Sequence, residues 1–305
     1  MIHDGSAALV EAELLVSVLL GAAVLYGVAV RRISDPLPGA RMPRAPGGPV
    51  GTAAGWSTWH TARWLLGIGT AAVGAVVLSV GGPHDLRLHV AGHLLLGMAA
   101  PVLLVTAAPV TLALRALPRR RARALGRLLR SRPLAVLTHP AVAALLDVGG
   151  LWLLYWTDVP ATVPPLVVHV HMLMAGYLFA FALIGPDPAP HRPGFAVRAG
   201  VLVVAVAAHD VLAKLLYAAP PPGAPVAQAE VAGLLMYYGA APVHVALFVL
   251  LGREWLAGQR RARDRAQRQP SQPVGRGTAA ATRPSVFSAA SCRAMHTDQG
   301  PAPDR

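Results

Sequence analysis

Long apolar runs constrain this chain before anything else does. The first is AALVEAELLVSVLLGAAVLYGVAV, and runs of about 20 residues, each enough to cross roughly 30 Å of hydrocarbon as a helix, recur along the sequence. Inside lipid every backbone N–H and C=O must pair internally, so helices or a closed barrel are the available folds. Barrel strands alternate apolar and polar residues over about ten positions. These runs are apolar all round, so the chain reads as all-α, a polytopic bundle. Composition agrees: 13% of residues are charged, against about 25% in soluble domains.

The predicted spans are residues 7–30, 59–80, 86–108, 140–157, 164–184, 195–218 and 231–252, a seven-helix transmembrane domain within residues 1–257. A Pro/Gly-rich linker fills 33–55. Residues 258–305, rich in Gln, Arg, Pro, Ser and Ala without periodicity, read as a disordered basic tail. The acidic start MIHDGSAALVEAELL lacks the basic flank of a signal peptide, so the first run is expected to be a retained span.

Arginine sets the direction. The net charge of +13 is almost wholly arginine, with Lys214 the one lysine. Arg31, Arg32, Arg41 and Arg44 follow the first span, and Arg115 to Arg132 follow the third. Arg192 follows the fifth, and more follow the seventh, whereas the even connections carry Arg87 alone. Cytoplasmic loops collect Lys and Arg, which predicts the N-terminus outside and the C-terminus inside. The arginines flank apolar runs and are not interleaved with aromatics, so the bilayer, not nucleic acid, is the expected partner. The segment LRALPRRRARALGRLLRSRP reads as an amphipathic helix on anionic lipid. A single cysteine, Cys292, rules out an internal disulfide. No nucleophile–base pair, phosphate loop or paired carboxylates stand out, so no enzyme is expected.

Intramembrane histidines are the candidate chemistry, because ionisable groups there are costly and tend to mark function. That direction puts His89 and His93, His169 and His171, and His209 in the outer part of three spans, with His84 in an outer loop. His89 and His93 are one helical turn apart, a spacing that brings two imidazoles to one ion. Met98, Met172, Met174 and Met236 add thioethers, and imidazole with thioether suits copper, especially Cu(I). His169 and His171 are two apart and point to nearly opposite faces. The plainer alternative is that each histidine hydrogen-bonds across helices. Asp210 and Lys214, four apart, are expected to neutralise each other. Asp147 has no evident partner, and SCRAMH in the tail reads as unstructured chain.

HVAGHLLLGMAAPVLLVTAAPVTLALRALP at 89–118 and VVHVHMLMAGYLFAFALIGPDP at 167–188, with His209 in the next span, resemble the signature segments of the CtaG-type cytochrome c oxidase assembly factors over about residues 55–256. Ala108 stands where that family has a turn glycine. Gln228 and Ala229 replace an Asp-Gln pair, Tyr237 a tryptophan, and Leu212 a glycine. The resemblance implies a plasma-membrane chaperone that matures a haem–copper oxidase, with oxidase subunits as partners and copper delivery as its role. His89, His93, His169, His171 and His209 are the expected metal ligands. Competing readings are a haem-binding electron carrier through His93 and His209 and a metal-free scaffold for oxidase subunits. A transporter ranks lower, without repeats or broken helices.

Overall fold

The computed structural model describes residues 2–34, 55–81, 85–157, 162–221 and 224–268. His84, the SCRAMH motif and most of the 33–55 linker lie outside them. Among the described residues there are helices and no strand. The helices are α1 (Ile2–Ser34), α2 (Thr58–Gly81), α3 (Leu86–Thr106), α4 (Pro109–Ala116) and α5 (Arg119–Leu129). Then come α6 (Arg132–Leu137), α7 (Pro140–Trp156), α8 (Pro165–Ile184), α9 (Phe195–Ala218) and α10 (Val226–Arg268). Six of them, α1, α2, α3, α8, α9 and α10, contain stretches long and apolar enough to cross a membrane. The apolar α7 is shorter, about 25 Å at 1.5 Å per residue. The chain is thus a multi-pass membrane protein. Met1–Ala262 forms one compact unit; the second, Arg263–Arg305, is described as far as Arg268. There α10 continues through residues 258–268, where the sequence predicts the start of the tail.

Local chemistry starts and stops these helices. Asp85 caps α3 by accepting from the backbone N–H groups of Arg87 and Leu88 at 3.0 and 3.3 Å. The Arg87 guanidinium hydrogen-bonded to it holds its carboxyl below the usual carboxylate range. His139 caps α7, its Nδ1 accepting from Ala141 N–H at 3.3 Å. Both α3 and α7 widen into a π-turn in mid-course, at Leu94–Ala99 and Leu145–Gly149. Such turns leave carbonyls without their usual partner and recur at functional sites.

At the end of α3 the chain reverses through Ala108, whose φ of 53° and ψ of 51° are left-handed. Two family-like segments meet there. Asp187 of GPDP accepts from the N–H groups of Val110 and Thr111 at 3.1 and 2.7 Å and from Thr111 Oγ1 at 2.6 Å. A buried carboxylate thus satisfies the first N–H groups of α4, where the helix dipole favours negative charge. Tyr26 braces the same turn, donating from Oη to the Ala107 carbonyl at 3.0 Å and stacking on Trp64 at 4.7 Å. Left-handed backbone costs a non-glycine residue about 1–2 kcal/mol, and glycine gives back part of this as extra unfolded-chain entropy. Ala108→Gly is therefore expected to stabilise the fold by about 0.5–1 kcal/mol, read as a higher thermal midpoint in detergent.

Of the apolar clusters among the described residues, two flank the level of the ionisable side chains. Val90, Leu94, Leu151, Tyr155, Leu212, Leu216 and Met236 fill one. Val105, Ala143, Phe179, Leu183, Leu202, Leu247 and Leu251 fill the other. Each draws on α3, α7, α9 and α10 or their neighbours, so the level between them is bounded above and below by hydrocarbon.

Candidate metal centre

A cavity of about 30 Å³ occupies that level. It is comparable to the room one or two water-sized guests need. Five helices line it. From α3 come His93, Gly97 and Met98; from α7, Asp147; from α8, Gly176 and Phe179; from α9, His209; from α10, His244. Both π-turns open onto it, the first directly after His93 and the second at Asp147.

His93 and His209 are 4% and 3% exposed, and none of their four ring nitrogens has a hydrogen-bond partner among the described residues. Their rings stack at 6.0 Å, and His244 meets His209 edge-on at 5.1 Å. Asp210 Oδ1 stands 3.9 Å from His209 Nδ1 and 4.0 Å from His244 Nδ1. One ligand atom from each of His209, Asp210 and His244 lies within 4.8 Å of the others. A buried polar group without a partner costs about 1–3 kcal/mol by protein mutational data. Two such imidazoles side by side are hard to explain as hydrogen-bonding glue. Their free nitrogens are what a metal ion takes.

The five histidines expected from sequence separate here. His93 and His209 line the pocket; His89, His169 and His171 do not. His89 lies one turn from His93, its ring edge-on to Tyr155 at 5.8 Å. His171 is exposed and holds the Leu146 carbonyl of the second π-turn at 3.1 Å. Gly150 makes room for it, since a Cβ there would stand 2.7 Å from His171 Nε2. The expected Asp210–Lys214 pair is replaced. Asp210 turns to the histidines, and Lys214 Nζ lies over the Tyr237 ring at 5.2 Å. Of the methionines, Met98 lines the pocket, Met172 is buried near Gly97, Met236 belongs to an apolar layer and Met174 is exposed.

Sequence reasoning left out His244, Asp147 and Asp210 as partners of this site. Their signal was present, as ionisable residues in apolar spans. What it lacked was helix order. Along their helices His93 is seven residues into α3, about 10 Å at 1.5 Å per residue, and His209 about 13 Å from the end of α9.

A close approach fixes this geometry. Gly176 of α8 lies against Gly97 of α3, and a Cβ on it would run into the Gly97 carbonyl. Gly97 in turn leaves space for the His93 ring, whose Nδ1 would stand 3.0 Å from a Cβ there. Small residues that let backbones touch are the common device of membrane helix packing.

Among curated proteins, uncharacterized proteins of Mycobacterium bovis and Mycobacterium tuberculosis are 36% identical over 177 residues, and one of Mycobacterium leprae is 34% identical over the same length. The match covers 53% of this chain and 25% of each relative, so the chain spans about a quarter of their length. No solved structure matches. Residues 24–258 match the family of cytochrome c oxidase caa3 assembly factors (Caa3_CtaG). That region contains the whole histidine pocket, and the chain belongs to this family.

Proposed function

We propose that the chain assists assembly of a caa3-type cytochrome c oxidase in the plasma membrane by holding copper, as cargo for the oxidase subunits, in the pocket between α3, α7, α8, α9 and α10. The observation that carries this reading is the pair His93 and His209, buried and stacked with all four ring nitrogens unpartnered. His244, with His209 and Asp210, offers ligand atoms within 4.8 Å of one another, and Met98 lines the same pocket with a thioether. Imidazole with thioether favours Cu(I). Asp147 lines the pocket and Asp210 brings a carboxylate oxygen to the cluster, oxygen ligands available to a cation in a low-dielectric site. No cysteine thiolate among the described residues would hold the ion irreversibly, which suits transfer. With the arginine-rich connections inside, His89 lies between His93 and the outer end of α3, the side from which cargo would come and go. The cavity of about 30 Å³ suits an ion and not a haem macrocycle, so the haem-carrier reading has no support here.

Cells lacking the native chain and carrying His93→Ala are expected to make oxidase with at least about tenfold less copper and activity, judged from the 10–100-fold cost of even outer-shell changes at metal sites. The oxidase polypeptides should persist. His171→Ala should sustain both copper and activity. Equal oxidase copper with native chain and His93→Ala would contradict cargo binding and favour a metal-free scaffold.

A further inference from the structure

A second site lies where α5 crosses the chain between α8 and α9. A groove there is walled by Arg119, Arg123 and Arg130 and floored by Leu114, Leu129 and Pro188. The three arginines fall on one face because their spacings of four and seven residues are whole helical turns. Their guanidinium groups make no ion pair with a carboxylate among the described residues. The acids at this end of the bundle are engaged elsewhere: Asp187 caps α4, and Glu254 meets Arg198 at 2.8 Å and Arg192 at 3.9 Å. Arg120, Arg121 and Arg127 do not line the groove.

The position matters as much as the charge. α4 follows the end of α3 at Thr106, and Pro188 follows the end of α8 at Ile184. The groove therefore opens where two apolar spans stop, the depth at which lipid headgroups lie. One wall offers guanidinium donors, which recognise phosphate by paired hydrogen bonds. The floor offers apolar surface from Leu114, Leu129 and Pro188. A ligand with an anionic phosphate joined to hydrocarbon matches both. We propose that this groove is a specific site for one anionic phospholipid, its phosphate held by Arg119, Arg123 and Arg130. The bound lipid would fix α5 against the α8–α9 connection. The proposal is independent of the metal reading.

The test uses the full chain in nanodiscs of phosphatidylcholine with a minor fraction of phosphatidylglycerol. Lipid retained after release into detergent is counted by native mass spectrometry. Native protein should retain one phosphatidylglycerol per chain. The groove variant Arg119→Gln/Arg123→Gln/Arg130→Gln should lose it, with affinity down about tenfold or more beyond the control, given about 1 kcal/mol per arginine near an anionic surface. The control Arg120→Gln/Arg121→Gln/Arg127→Gln removes the same charge away from the groove and should retain the lipid. Millimolar inorganic phosphate should not displace it. Equal loss in both variants would show diffuse attraction and overturn the site. So would equal retention in both, and so would displacement by inorganic phosphate, which would make the ligand a free anion. A circular dichroism spectrum unchanged from native confirms that the variants are folded.

Discussion

His209→Ala is expected to empty the pocket of copper without weakening the metal-free fold. His209 is the middle member of the cluster, with His93 at 6.0 Å on one side and His244 at 5.1 Å on the other. Its removal takes away the ring that faces both of the other imidazoles. Copper affinity should fall by a hundredfold or more, since even outer-shell changes at metal sites cost about 10–100-fold. Stability should move the other way from a structural histidine. His209 gives up hydration on burial and gains no hydrogen bond, and such a group costs about 1–3 kcal/mol. The metal-free alanine variant should therefore melt at or above the native temperature, less what its small cavity costs. His171→Ala is the opposite case. It keeps copper but loses the hydrogen bond to Leu146, worth about 1 kcal/mol net. Copper counted by mass spectrometry, with melting curves of the metal-free proteins, separates the two. A His209→Ala chain that binds copper as the native does would remove the pocket from the account.

Gly176→Ala should produce the largest structural effect of any single methyl group in the bundle. The added carbon collides with the Gly97 carbonyl, which is helix backbone, and lies 3.0 Å from Cγ of the Pro101 ring. Overpacking of this kind costs about 1–3 kcal/mol and is relieved by shifting a helix. Here the shift separates α8 from α3 at the residue beside His93, so copper affinity should fall together with stability. Gly69 and Gly200 give the reference, because a Cβ at either meets nothing within 4 Å. Alanine there should be neutral or stabilising by up to about 1 kcal/mol through helix propensity. Equal melting temperatures for Gly176→Ala and Gly200→Ala would show that the two helices are not in backbone contact.

What could be read from the residues, and what could not, divides along one physical line. Helix existence is local, so the apolar runs gave the helices and most of their limits. The left-handed backbone at Ala108 was not read from sequence, because an alanine carries no local signal for it. Convergence is not local. His93 and His209 were named from sequence, yet nothing in their spacing joined them to His244 on a helix 35 residues further on. The turn of His171 toward the Leu146 carbonyl was hidden for the same reason. In HVH one ring or the other must turn away, and the π-turn of α7 that takes His171 leaves no mark on hydrophobic periodicity. Asp210 looked paired to Lys214 because i, i+4 neighbours usually are; across the helix interface, two imidazoles were closer.

The central claim, that imidazoles from three separate helices share one copper ion, is tested most directly by X-ray absorption at the copper edge on the loaded full-length chain. The account predicts a first shell dominated by two or three imidazole nitrogens near 2 Å, with their outer-ring scattering visible, reduced in His93→Ala, His209→Ala and His244→Ala alike. A spectrum without imidazole scattering, or one unchanged in all three variants, would contradict it.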